Sequence, residues 1–92
     1  MIKTFRCQET EALFNDGMIL KFRTIERSAR RKLLYLNRAK TLADLQHLPG
    51  NRLEALRGDR KGQYSIRIND RWRLCFVWLN GNAYEVEIID YH

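Results

Sequence analysis

The spacing of apolar residues changes near the middle of the chain. Between residues 20 and 39, Phe22, Ile25, Ala29, Leu33 and Leu36 recur at three- and four-residue steps. That period predicts a helix over about Leu20–Ala39, with one apolar stripe. Its other face carries Arg23, Arg27, Arg30, Arg31 and Lys32, and Glu26 precedes Arg30 by one turn. Beyond Pro49-Gly50 the period becomes two. Tyr64, Ile66 and Ile68 alternate with Ser65, Arg67 and Asn69. Trp72, Leu74, Phe76 and Trp78 alternate with Arg71, Arg73, Cys75 and Val77, and a final strand is expected over about Ala83–Ile89 with Tyr84, Val86 and Ile88 on one side.

Shorter signals fill the gaps. Met1–Cys7 alternates as a strand with Ile2 and Phe5 inward. Thr10 is the expected N-cap of a short helix over Glu11–Asn15, with Gly17 just past its end. Thr41-Leu42-Ala43-Asp44 has the spacing of a capping box for one more helical turn. Leu53–Leu56 is a short strand candidate, and Gly58–Gly62 and Asn69-Asp70 are turns. The sum is one domain over residues 1–92 of α+β class. An N-terminal strand and two helices are expected to pack on one face of a mainly antiparallel sheet formed by the C-terminal half.

The last hairpin sets where its arginines go. A two-residue Asn80-Gly81 loop would place Phe76 opposite Glu85 and Leu74 opposite Glu87. A three-residue loop, or an equivalent bulge, sets Trp78 opposite Tyr84, Phe76 opposite Val86 and Leu74 opposite Ile88, so that apolar meets apolar. In that register Arg73 faces Ile89 and Arg71 faces Tyr91. Arg71, Arg73 and the terminal Asp90-Tyr91-His92 are then expected to converge on the sheet face away from the helices.

Composition adds a sign to this face. Seventeen Lys+Arg against eleven Asp+Glu give 92 residues a net charge of +6 and a pI near 9.7. A small basic domain favours a polyanionic partner. No apolar run approaches the roughly 18 residues of a membrane span, so no membrane partner is expected. Cys7 and Cys75 are far apart and outside any metal-ligand spacing. They read as reduced thiols of a cytoplasmic protein, with no metal or cofactor called for. Trp72 and Trp78 fall on the apolar face and are assigned to the core.

An ordered set of residues then carries a resemblance. Gly58-Asp59-Arg60, Tyr64-Ser65-Ile66-Arg67-Ile68-Asn69, Trp72-Arg73, Gly81-Asn82-Ala83-Tyr84 and the final Asp90-Tyr91-His92 resemble the HigB toxins of the RelE/ParE superfamily of bacterial type II toxin–antitoxin modules. The opening Met1-Ile2-Lys3-Thr4-Phe5 is similar to theirs as well. The resemblance implies a RelE-like fold and a cytoplasmic, ribosome-dependent endoribonuclease that cuts messenger RNA in the A site and stops translation. It also implies a HigA-like antitoxin carrying a helix-turn-helix, through which operator DNA is contacted indirectly.

Matched residue by residue, the resemblance assigns the active centre to Arg73 with Asp90, Tyr91 and His92. Arg57 stands where a lysine is common. Glu54 departs from the pattern, because some members have a histidine there. Metal-free RNA cleavage by the 2′-hydroxyl needs a base, a cation for the phosphorane and an acid for the leaving oxygen. Arg73 suits the phosphate, and His92 is the group that titrates near neutral pH. Asp90 suits orientation or general base, and Tyr91 suits stacking or a phosphate hydrogen bond. Arg57, Arg60, Arg67 and Arg71 are candidates for neighbouring phosphates. Two rival readings share these residues: an RNA- or ribosome-binding inhibitor that does not cut, and a gyrase-targeting toxin of the ParE branch.

Overall fold

The computed structural model describes residues 1–90. Tyr91 and His92 lie outside the described residues. Three helices, α1 (Gln8–Phe14), α2 (Glu26–Arg38) and α3 (Leu42–Gln46), precede four strands, β1 (Glu54–Ala55), β2 (Gln63–Arg67), β3 (Trp72–Leu79) and β4 (Asn82–Asp90). The strands form one antiparallel sheet in the order β1-β2-β3-β4. The helical stripe Ala29, Leu33 and Leu36 is fully buried against Ile66, Leu74, Phe76, Val86 and Ile88 of the sheet. Phe22 meets the edge of Trp72 with ring centroids 5.7 Å apart. Both tryptophans therefore join the helix-side core, Trp78 only partly buried.

Several local expectations are corrected. The helix expected from Leu20 divides into a 3-10 turn over Leu20–Ile25 and α2 proper. Thr10 is not a cap: α1 begins at Gln8, and the buried Thr10 hydroxyl accepts the Ile88 N–H at 3.1 Å. That N–H lies past the point where the N-terminal segment leaves β4, so Thr10 supplies the acceptor the ladder no longer can. Past α1, Asp16 rather than Gly17 takes the left-handed conformation (φ 66°). Gly17 N–H bonds Ala12 O and Asp16 N–H bonds Leu13 O, the paired contacts of a Schellman stop. A Cβ on Gly17 would lie 2.8 Å from Ala12 O, so the glycine is there for close approach.

Lys32 is the largest departure within α2. It follows Ala29 by three residues and precedes Leu36 by four, which turns it onto the buried flank rather than the charged face. It is 7% exposed, and its Nζ donates to Asn51 Oδ1 at 2.5 Å. α3 has the expected capping box, with Thr41 and Asp44 bonded reciprocally. The backbone N–H groups of Lys40 and Thr41 hold the Asp44 carboxyl below its ordinary value.

The β3–β4 hairpin resolves a conflict between turn and core. Asn80 and Gly81 both have positive φ (52° and 78°), as the tight two-residue turn requires. Hence Leu79 pairs Asn82 and Trp78 pairs Ala83, not Tyr84. A bulge follows, at Glu85 with φ 54°. Phe76 faces the two bulge residues Glu85 and Val86, and beyond it Leu74 pairs Ile88 and Arg73 pairs Ile89. Glu85 is thrown out to solvent, while Val86 and Ile88 return to the core. The expected register is thus recovered near Arg73 by the bulge, whereas Tyr84 moves to the other face, opposite Val77. The same bulge limits the N-terminal segment. Met1–Cys7 forms no continuous strand, only parallel bridges at Ile2–Ala83 and Phe5–Val86, with Thr4 Oγ1 accepting the Glu85 N–H at 2.8 Å. Leu53–Leu56 likewise shortens to the two residues of β1.

Candidate active site on the open sheet face

Alternation along β2 and β3 decides which side chains leave the helix-packed core. Ser65 pairs Cys75 and Arg67 pairs Arg73. Glu54 pairs Ser65 from the sheet edge, and Glu87 pairs Cys75 from the other side. All therefore share the face that carries no helix. Two arginines directly opposite on neighbouring strands repel. Each is held by a different partner. Arg67 Nη2 bonds Asp70 Oδ1 at 2.5 Å, which also holds the Asp70 carboxyl below its ordinary value. Arg73 Nε donates to Ser65 Oγ at 2.7 Å, and its Nη2 donates to the carbonyls of Arg52 at 2.7 Å and Ser65 at 3.4 Å.

Arg52, Glu54, Arg67, Asn69, Asp70 and Arg73 line a shallow cleft of about 190 Å³. Three guanidinium groups thus share one small concavity with two carboxylates. Arg60 stands one step along the same face, where its Nη1 bonds Glu87 Oε1 at 2.8 Å and Gln63 Oε1 at 3.1 Å. Burial pushes the Cys75 thiol up to about 11, so beneath these charges it is a neutral packing group.

The remaining expected site residues are placed less centrally. Asp90 does not stand beside Arg73. It is opposite Trp72, on the other face by register, and its carboxylate pairs with Arg71 at 2.7 Å. Arg71 also lies over the Trp72 ring, 5.6 Å from its centroid. Convergence of Arg71 and Asp90 is therefore real, but at the end of the sheet rather than around Arg73. Arg57 is exposed and lines a separate groove along β1 with Glu54, Ala55 and Leu56. His47 caps the C-terminal end of α3, away from the cleft. The positions of Tyr91 and His92 lie outside the described residues. Among the described residues no three His, Cys, Asp or Glu side chains are grouped so as to hold a metal ion. No helix among them is long and apolar enough to cross a membrane.

Residues 3–92 match the family model of the HigB-like toxin, a RelE-like toxin of type II toxin–antitoxin systems. The chain belongs to this family. Toxin HigB-1 of Vibrio cholerae is 47% identical over 60 residues, 65% of this chain and 63% of that protein, so the match spans under two thirds of the Vibrio toxin. The Endoribonuclease HigB of Proteus vulgaris is 32% identical over the whole of both chains. Among solved structures, YafQ of E. coli strain BL21(DE3) has the same fold, with a TM-score of 0.65, 98% of this chain and 93% of that chain covered, and 11% identity.

Two supports of this HigB-like cleft escaped the sequence reading. Ser65 falls on the arginine face by simple alternation, so its role as acceptor was legible once β2 and β3 were paired. Arg52 gave no signal. Its carbonyl reaches Arg73 because its backbone takes a left-handed conformation (φ 45°) that an arginine rarely adopts.

Proposed function

We propose that this toxin is an endoribonuclease that cuts messenger RNA in the ribosomal A site, in the cytoplasm, and is neutralised by a HigA-like helix-turn-helix antitoxin through which operator DNA is contacted. The observation that carries the reading is Arg73. Its guanidinium is held by Ser65 and Arg52 in a cleft that also contains Arg52 and Arg67 side chains. A cation fixed before substrate arrives pays no reorganisation cost when charge develops on phosphorus.

The reaction balances without a redox partner or group carrier. The ribose 2′-oxygen attacks the adjacent phosphorus and gives its proton to a base. The phosphorus–5′-oxygen bond breaks, and the leaving oxygen takes a proton from an acid. The products are a 2′,3′-cyclic phosphate and a 5′-hydroxyl end. Arg73 stabilises the phosphorane charge. His92, whose ordinary pKa lies near neutrality, exchanges the protons, and Tyr91 stacks on a base or bonds a phosphate. Asp90, tied down by Arg71, orients this terminal pair or acts as the base. Arg57, Arg60, Arg67 and Arg71 hold flanking phosphates. Glu54, in the cleft, is set to pair with these arginines.

The test is cleavage of messenger RNA on translating ribosomes by wild type, by Arg73→Ala and by a deletion of Tyr91-His92. Loss in both variants supports the reading, and wild-type rates in both overturn the site. Ribosomes need their own magnesium, so a chemical step that still demands a further added divalent ion would overturn the metal-independent mechanism. Translation arrest by the wild type without new 5′ ends inside codons would favour an occluding binder.

A further inference from the structure

Beneath the cleft, a buried lysine and a buried asparagine form a strut that runs from α2 to the backbone holding Arg73. Asn51 is fully buried and bonded at four points. Its Oδ1 accepts from Lys32 Nζ at 2.5 Å, and its Nδ2 donates to Leu45 O at 3.0 Å. Its N–H donates to Leu48 O at 3.3 Å, and its carbonyl accepts the Arg67 N–H at 2.6 Å. The next residue is Arg52, whose left-handed backbone sends its carbonyl to Arg73 Nη2.

A left-handed backbone at an arginine is strained and persists only where its surroundings over-determine it. Asn51 is that surrounding. It fixes the peptide on one side of Arg52, and Arg73 receives it on the other. An exposed loop following Pro49-Gly50 would otherwise be free to turn this carbonyl away. The ammonium of Lys32 is an unusual choice for a core position, since burial penalises its charge. An apolar side chain would fill the space, but would leave Asn51 Oδ1 without its donor.

We propose that Lys32 and Asn51 are positioning residues for the Arg73 guanidinium, acting through the Arg52 carbonyl. The inference rests on the reading of Arg73 as the phosphate-binding cation and extends it to residues on the far side of the sheet. Neither Lys32 nor Asn51 touches RNA.

The decisive experiment is a double-mutant cycle. Lys32→Met keeps the volume and removes the donor, while Lys32→Gln keeps a donor. Each is made in wild type and in Arg73→Lys. In wild type, Lys32→Met is expected to lower kcat on ribosomes by about 10- to 100-fold with KM little changed, as a displaced catalytic group does. Lys32→Gln is expected to recover most of that loss. In the Arg73→Lys background, Lys32→Met is expected to cost less than about threefold, because the group it positions is gone. Equal losses in both backgrounds, or a folded Lys32→Met with wild-type kcat, overturn the proposal.

A second readout needs no cleavage. The Nη2–H resonance of Arg73, the donor to the Arg52 carbonyl, is expected to shift and to exchange faster with solvent in Lys32→Met and in Asn51→Ala. An unchanged Arg73 resonance in either folded variant overturns positioning. A wild type that cuts no RNA, with the resonance still displaced in the variants, overturns only the nuclease reading.

Discussion

Two arginine-rich surfaces of the molecule differ in how their charges are held. On the outer face of α2 and the turn before it, Arg23, Arg27, Arg31 and Arg38 are exposed, and among the described residues none makes an ion pair or side-chain hydrogen bond. With Leu34 and Tyr35 they line a broad groove of about 660 Å³. On the open sheet face, Arg60, Arg67 and Arg73 are each half-buried and bonded to named acceptors. On the helix surface only Arg30 among the groove's arginines is held, by Glu26 and the carbonyls of Leu13 and Gly17, whereas on the sheet surface all three of these arginines are given a defined direction. Long-range attraction needs charge alone, whereas stabilising a transition state needs charge already in place.

The largest expected effect that tests this contrast is at Arg73. Arg73→Ala should lower cleavage on ribosomes by about 10²- to 10³-fold, the loss typical of removing one preorganised charge-stabilising group. Arg27→Ala/Arg31→Ala should leave kcat within about twofold while flattening the salt dependence of RNA binding, measured as the slope against salt concentration. Comparable kcat losses in the two variants would erase the distinction between held and loose arginines.

The helix layer should matter to folding rather than to chemistry. Leu36→Ala is expected to destabilise the protein by about 2–5 kcal/mol in urea denaturation, since its side chain is fully buried. At concentrations where the variant remains folded, its cleavage rate should stay near wild type. A smaller effect is expected at Ser65, the acceptor of Arg73 Nε. Ser65→Ala should reduce kcat about tenfold, equivalent to about 1.4 kcal/mol of barrier, with a melting temperature close to wild type. An unaltered kcat there would mean that the Arg52 carbonyl alone aims the guanidinium.

The smallest effect is in pH dependence. Burial, then the charges of Arg31 and Arg67, hold the Lys32 ammonium below its ordinary value of 10.5. The unfolded chain therefore holds this proton more tightly than the folded one. Stability should be depressed by a constant amount below the folded pKa and should rise as pH climbs from there toward 10.5. The difference in urea midpoint between wild type and Lys32→Met, followed from pH 7 to about pH 10, should move in favour of wild type. A pH-independent difference would mean that Lys32 titrates alike in both states.

Local pattern predicted the elements well where one rule acted alone. The α2 stripe, the Thr41–Asp44 capping box and the alternation of β2 and β3 each depend on neighbours a few residues away. The pattern failed where two rules competed at one place. Asn80-Gly81 demanded a tight turn, the core demanded Val86 and Ile88, and a bulge at Glu85 satisfied both. Thr10 has the chemistry of a cap, but the orphaned Ile88 N–H, 78 residues away, claimed its hydroxyl. Lys32 reads as solvent-facing by charge, and its distant partner Asn51, together with the Tyr35 ring 5.6 Å from its ammonium, makes burial tolerable. In the candidate site, Arg67 and Arg73 were legible as face-sharing residues by alternation, Glu54 joins them only through the β1–β2 pairing, and Asp90, expected beside Arg73, is bonded to Arg71.

By itself the sequence determined the α+β class, the family, the basic character and the strand arginine on which the proposed chemistry turns. These follow from periodicity, composition and an ordered set of residues, all readable along one line. Tertiary structure alone decided which acceptors hold that arginine. The Arg52 carbonyl and the Lys32–Asn51 strut are joined by hydrogen bonds between segments about 20 residues apart, whose backbone directions no local preference encodes.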